Sequence, residues 1–164
     1  MVRLPLAVAC LAGLLAGPAL AATHTTTANL LSVLAKPIAS AKRGKDRVLV
    51  PATIDTYSSP HLYGSGGATS QGYDIQLANA PDCHDANACY VAEFSAGPGK
   101  AIKGAVVTLA RGLRGRYAAS VCGASCNPAT LQWSEFGINY TIGYIGTKAQ
   151  LVALAESAIK AGPR

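Results

Sequence analysis

The residues best suited to chemistry are four cysteines in the second half of the chain, Cys83, Cys89, Cys122 and Cys126. Four cysteines can pair in three ways, and the short spacings favour two local disulfides, Cys83–Cys89 and Cys122–Cys126. A four-cysteine zinc site is disfavoured, because zinc-binding cysteines usually lie about two to four residues apart and must be reduced. Oxidation would also remove the thiolates that act as nucleophiles. We therefore predict two loops of fixed shape and no metal site.

The first cysteine loop carries three ionisable side chains, Asp82, His84 and Asp85. An imidazole and two carboxylates at neighbouring positions can converge on a divalent metal, but three ligands are few for such a site. A loop that is rigid before binding loses little entropy when it enters the cleft of a partner. Small periplasmic lysozyme inhibitors use a histidine-bearing cysteine loop in this way. By analogy with them, we predict that Asp82, His84 and Asp85 form a binding loop.

A second candidate site is the arginine-rich turn formed by Arg111, Arg114 and Arg116 around Gly112 and Gly115. Its guanidinium groups could bind phosphate or carboxylate, although a charged hairpin tip that keeps the protein in solution is the simpler interpretation. The whole chain carries a formal net charge of +6, with a second basic group at Lys42, Arg43, Lys45 and Arg47. This charge favours an anionic envelope component or a protein as partner. Nucleic acid is not expected, because no aromatic residues interleave with the second group to stack on bases.

The chain lacks the usual motifs of a catalytic centre. The three histidines, His24, His61 and His84, are dispersed along the sequence. No nucleophile elbow, His-Glu-x-x-His helix or Ser-x-x-Lys set occurs. We therefore predict no catalytic residues, no cofactor and no enzymatic activity. Trp133, Tyr140 and Tyr144 are expected in the core, because they alternate along strands that face a helix.

The N-terminal segment has the layout of a secretory signal peptide. Arg3 supplies a positive charge, Leu4–Leu20 is apolar, and Ala19-Leu20-Ala21 matches a small-x-small cleavage site. We predict a signal peptide at residues 1–21 and a mature protein that is periplasmic or secreted, with no transmembrane segment left after cleavage. In either place thiols oxidise, which supports the predicted disulfides. The alternative, a lipidated Cys10, is disfavoured because the apolar run continues well beyond it.

The mature sequence predicts an α+β fold. Residues 22–46 are expected to form a short helix, ended or kinked by Pro37, and a basic linker from Ala39. Residues 47–164 are expected to form one domain. Period-two alternation predicts an antiparallel β-meander of about six or seven strands. The predicted strands are 48–50, 73–78, 90–95, 105–110, 116–122, 131–133 and 138–144, with a long glycine-rich loop at 57–72. A capping box at Thr147 begins a C-terminal amphipathic helix that covers one face of the sheet.

The last third of the chain has a recurrent pattern. Cys122-Gly123-Ala124-x-Cys126, Trp133-x3-Gly137-x2-Tyr140 and a helix reading Leu154-Ala155-x-Ser157-Ala158-Ile159 follow one another. This pattern resembles small exported bacterial proteins of unassigned function. Its hairpin and helix are also similar to the end of lipoprotein-carrier-like domains, in which a curved sheet shelters acyl chains under helices.

The sequence as a whole favours a non-catalytic binding or envelope-associated protein. Two alternatives remain open. One is a lysozyme-type hydrolase inhibitor that acts through the Cys83–Cys89 loop, and it requires a filled core and a protruding loop. The other is a carrier of an apolar ligand, which the resemblance implies and which requires a cavity between sheet and helix.

Overall fold

The computed structural model describes residues 26–44, 47–56, 61–83, 88–123 and 125–164. The predicted signal peptide lies outside the described residues. Within them, no helix is both long and apolar enough to cross a membrane. In chain order the elements are β1 (Thr26–Asn29), α1 (Leu30–Val33), α2 (Ala35–Ala41), β2 (Thr53–Thr56), β3 (Tyr63–Ala68), β4 (Tyr73–Ala78), β5 (Tyr90–Gly97), β6 (Ala105–Thr108), a 3-10 turn (Ala110–Gly112), β7 (Arg114–Ala118), β8 (Val121–Cys122), β9 (Cys126–Asn127), β10 (Ala129–Glu135), β11 (Ile138–Tyr144) and α3 (Lys148–Ala161).

A seven-stranded antiparallel sheet forms the centre of the structure, in the order β3-β4-β5-β11-β10-β7-β6. The first three strands form one meander and the last four form another. The two meanders meet where β11 pairs with β5. Two small two-stranded sheets, β1–β2 and β8–β9, lie outside this sheet. The predicted α+β fold with an antiparallel sheet, a C-terminal helix and two disulfides is confirmed.

One face of the sheet forms the core, as the period-two alternation predicts. Successive apolar residues such as Ile75, Phe94, Ile142 and Leu131 are paired across four neighbouring strands and fully or almost fully buried. Helix α3 packs against β10 and β11, whereas α2 packs against β3 and β4. The two helices therefore cover the same face at different positions.

Helix α3 begins at the predicted capping box. The backbone N–H of Gln150 donates to the Thr147 hydroxyl, and the Gln150 side chain accepts from the Thr147 backbone N–H at 2.9 Å. Both contacts pair N–H groups that have no partner within the helix. The buried stripe of the helix consists of Leu151, Leu154, Ala155, Ala158 and Ile159.

The N-terminal helix differs from the prediction. A strand, β1, precedes it, and the helix breaks into α1 and α2 at Leu34. Pro37 lies in the first turn of α2, where a missing N–H removes no helical hydrogen bond. Helix α2 therefore continues past Pro37 to Ala41, and the start of the predicted linker is helical.

Residues Val48, Leu49 and Val50 do not form the predicted strand. They are buried, but other groups bind their backbone: the Tyr73 hydroxyl donates to Leu49 O and accepts from Leu49 N, each at 3.1 Å. Arg164 donates its backbone N–H to Val48 O and its Nε to Val50 O. The strand in this region is β2, which begins at Thr53 and pairs with β1.

The predicted loop at 57–72 contains a strand, β3, which forms one edge of the sheet. The glycines of this segment, predicted to belong to a loop, allow the junction of α1 and α2 to lie against the strand. A Cβ on Gly64 would lie 2.6 Å from Leu34 Cδ2 and 2.9 Å from Val33 O. Glycine in a strand often marks such a close approach.

The other face of the sheet carries polar side chains, and residues 98–104 cross part of it. We call this segment the strap. Three neighbouring strands hold it: Asn139 Nδ2 donates to Gly99 O at 2.7 Å, Gln132 Oε1 accepts from Ile102 N at 2.8 Å, and Arg116 donates to Gly104 O at 3.4 Å. The strap thereby joins β5, in the middle of the sheet, to β6 at its edge.

We expect Gly64→Ala to lower the free energy of unfolding by about 1–3 kcal/mol, because the added methyl group overpacks the contact between β3 and the junction of α1 and α2. Chemical denaturation monitored by circular dichroism measures this change. Gly123→Ala is the matched control, because nothing lies within 4 Å of a Cβ at that position. Equal stability of the two variants would contradict this account of the packing.

Candidate functional site

The two predicted disulfides, Cys83–Cys89 and Cys122–Cys126, are present in the structure. In the sequence, the two disulfides lie in separate loops. The fold brings them to the same end of the sheet, because β5 begins directly after Cys89 and β10 begins shortly after Cys126. Strand β11 ends between them, at Tyr144. The two disulfide bonds therefore lie at one end of the sheet.

A groove of about 690 Å³ lies between Ala88, next to Cys89, and the Cys122–Cys126 hairpin. We call it the disulfide groove. This volume is within the range of roughly 300–1,000 Å³ that is typical of small-molecule sites. The residues that line it are Ala88, Tyr90, Ser120, Cys122, Gly123, Ser125, Cys126, Asn127, Pro128, Ala129, Tyr144, Ile145 and Gly146.

The disulfide groove is uncharged, although the chain is basic overall. Its described lining contains small, apolar and aromatic residues and no ionisable side chain other than tyrosine. Ile145 on the rim is 52% exposed, and Val121, adjacent to the lining residue Cys122, is 66% exposed. Exposed aliphatic side chains around an uncharged groove are typical of a surface that binds an apolar group.

Tyr90 lies on the polar face of the sheet and forms part of the groove. A Cβ on Gly143 would collide with the hydroxyl oxygen of Tyr90, so the observed position of the Tyr90 ring requires a glycine at position 143. The hydroxyl is buried and has no hydrogen-bond partner among the described residues. Burial, together with the nearby carboxylates of Glu93 and Asp74, raises the pKa of the Tyr90 phenol well above its usual range. The ring is therefore neutral at physiological pH.

Only the two ends of the predicted binding loop are described in the structure. Asp82 is exposed and immediately precedes the Cys83–Cys89 disulfide, and Ala88 lines the groove. His84 and Asp85 lie outside the described residues. A role for these three side chains in binding stays a prediction.

The three arginines of the second candidate site do not meet at one point. Arg111 forms an ion pair with Glu135 at 2.9 Å and donates to Ile159 O in α3. Arg116 contacts the strap on the opposite face of the sheet, and Arg114 is exposed. No local pattern in the sequence indicates these partners, because they come from elements that are distant along the chain. Binding of an anion by the arginines stays a prediction.

The aromatic residues of the last hairpin lie in the core, as expected. The rings of Trp133 and Tyr140 stack with their centroids 5.6 Å apart, and both are almost fully buried. The Tyr144 hydroxyl donates to Asp55 O at 2.6 Å. The groove was missed at the sequence level because its lining comes from three separate chain segments. Only the even number of cysteines could have indicated a rigid loop there.

The space beneath α3 is small. A pocket of about 150 Å³ lies between β2 and α3, lined by residues such as Thr53, Asp55 and Gln150. Within the described ranges, no group of three or more His, Cys, Asp or Glu residues could hold a metal ion. The disulfide groove is therefore the larger and more apolar of these two candidate sites.

Protein-family models, curated proteins and solved structures contain no match to this chain. The resemblance to carrier-like domains therefore stays a prediction.

We expect Tyr90→Phe to fold with no loss of stability at pH 8, because it removes a buried hydroxyl that has no partner. Above pH of about 10 the unfolded chain loses the Tyr90 proton while the folded protein keeps it. The free energy of unfolding of the wild type should therefore fall as pH rises through this range. Melting temperatures of both proteins at pH 8 and pH 11 measure the effect, and the wild type should lose more. An equal fall in both proteins would contradict the raised pKa of Tyr90.

Proposed function

We propose that this chain is an exported, non-catalytic binding protein and that its ligand site is the disulfide groove. The observation that supports the site most directly is an uncharged groove of about 690 Å³ that is lined by the Cys122–Cys126 disulfide and by Ala88, next to the disulfide-bonded Cys89. Neither disulfide is needed to hold the large sheet together, because each closes only a short loop. Such loops contribute roughly 2 kcal/mol each by the chain-entropy model.

Export is supported by the disulfides and by the predicted signal peptide. Disulfides persist in oxidising compartments and are rare in the cytosol of most organisms. We therefore infer that the protein works in the periplasm or is secreted. This location also fits an activity that consists of binding and needs no nucleotide cofactor.

The chemistry of the lining favours an uncharged ligand with an apolar part. A charged group would lose its hydration in the groove without finding a partner of opposite charge. Ile145 and the ring of Tyr90 offer apolar surface, and the hairpin of β8 and β9 offers backbone groups for a few hydrogen bonds. Because the disulfides fix the borders before binding, little conformational entropy is lost when the ligand enters.

The disulfide groove also bears on the carrier hypothesis. The pocket between β2 and α3 has about 150 Å³, which is small for an acyl chain. A carried apolar ligand would have more room in the disulfide groove. We therefore propose that any apolar cargo binds between the disulfides and not under α3.

We expect the uncharged fluorescent probe N-phenyl-1-naphthylamine to bind the mature protein. Ile145→Asp should weaken this binding at least tenfold, or about 1.4 kcal/mol, because it places a charge on the apolar rim. Val106→Asp is the control, since Val106 is a similarly exposed aliphatic residue (44%) on β6, outside the groove. Fluorescence titration gives both dissociation constants. Equal weakening by the two substitutions, or no binding to the wild type, would contradict the proposal.

The inhibitor hypothesis is favoured by one further observation, the exposed Asp82 beside the Cys83–Cys89 disulfide. If it is correct, the wild type should inhibit a lysozyme in a cell-wall lysis assay. The double variant Cys83→Ser/Cys89→Ser should lose this inhibition, because the open loop must be ordered on binding. Cys122→Ser/Cys126→Ser is the matched control and should retain it. Lysis at the same rate with and without the wild type would exclude this function for the lysozyme tested.

A further inference from the structure

The opposite end of the sheet contains two neighbouring turns with unusual backbone conformations. Arg111 and Phe136 are the non-glycine residues with positive φ in the described part of the chain, at 59° and 56°. Phe136 and Gly137 form the two-residue turn between β10 and β11, since Glu135 pairs with Ile138. Positive φ at both positions is typical of a type I′ turn, which favours Asn-Gly and not a phenylalanine. A strained residue that local sequence preference does not explain is a candidate for function.

Phe136 is both strained and exposed. Its side chain is 60% exposed, although a buried position would gain far more from its ring. The guanidinium carbon of Arg47 lies over the ring, 4.2 Å from its centroid. The tip of the hairpin therefore presents an aromatic group together with a cation.

Further cations surround this tip. Arg111, on the adjacent turn, is half exposed and pairs with Glu135, whose side chain is only 9% exposed. Arg114 is exposed at the start of β7, next to the same turn. The carboxylate nearest to Arg111 is thus largely hidden, while the side chains of Arg47, Arg111 and Arg114 are exposed. We call this region, formed by Phe136 and these three arginines, the basic tip.

We propose that the basic tip docks onto the surface of an anionic lipid membrane. Phe136 would enter the boundary between head groups and acyl chains, and the three guanidinium groups would bind lipid phosphates. Each basic residue close to such a surface typically contributes attraction, which salt weakens. The exposed aromatic ring distinguishes a bilayer from a soluble acidic polymer, because only the bilayer offers an apolar layer beneath its charged surface.

The position of the basic tip sets the orientation of the bound protein. The disulfide groove lies where β11 ends and the basic tip lies where β11 begins. A strand of this length spans on the order of 20 Å. Docking through the tip would therefore leave the groove open to solvent, so this inference does not depend on the function proposed for the groove.

The test is flotation of the mature protein with vesicles of phosphatidylglycerol and phosphatidylcholine in equal parts, compared with phosphatidylcholine alone. We expect binding to the anionic vesicles only, and weaker binding at high salt. Phe136→Asn should lower the bound fraction several-fold while preserving the fold, because Asn-Gly is the favoured pair for this turn. A melting temperature at or above that of the wild type verifies that Phe136→Asn is folded.

Two further variants distinguish binding through the basic tip from a general electrostatic attraction of the basic protein to anionic vesicles. Arg114→Gln should lower the partition coefficient by about fivefold, the change expected for one basic residue at the surface. Lys36→Gln removes an exposed charge from the start of α2, two residues after Leu34, which packs against Gly64 of β3. This substitution should leave the partition coefficient unchanged. Equal losses for Arg114→Gln and Lys36→Gln, or no loss for Phe136→Asn, would overturn the proposal. Undiminished binding of Phe136→Asn to a soluble acidic polysaccharide, with no vesicle binding by the wild type, would also overturn it.

Discussion

The pairing of β5 with β11 is the contact on which the rest of the structure depends. It joins the two meanders through six residue pairs, among them Phe94 with Ile142 and Ala92 with Tyr144. The same pairing brings the start of β5 next to the end of β11. Because each disulfide loop is attached to one meander, the groove between them exists only when these two strands are aligned. A shift of one residue would turn Ile142 to the polar face and separate the groove walls.

Local patterns in the sequence were sufficient to predict the elements whose partners are close along the chain. The alternation of Leu131 and Trp133 with polar residues predicted β10, and the Thr147–Gln150 capping box predicted the start of α3. Each signal arises from a few consecutive residues and one buried face. The two disulfides could be predicted equally well, because short spacing and an even number of cysteines leave few plausible pairings.

The sequence was less informative where a residue acts through a distant partner. The apolar run at 48–50 has the composition of a strand, but its backbone groups bind Tyr73 and Arg164, which no local pattern indicates. The glycines of β3 are typical of a loop in the local sequence, and the residues that require them, Leu34 and Ser40, come much earlier in the chain. The groove could not be predicted for the same reason. Its walls are contributed by three segments that only the order of the strands brings together.

The strap has a consequence for local stability. Side chains of Asn139, Gln132 and Arg116 hold its backbone, whereas the strands beneath it are held by backbone ladders. Opening the strap therefore breaks three hydrogen bonds and leaves the sheet intact. Segments of this kind open with a free energy well below that of global unfolding. Amide hydrogen exchange at Ile102 should thus proceed by local opening, whereas exchange at the paired amides of the central strands requires the sheet itself to open.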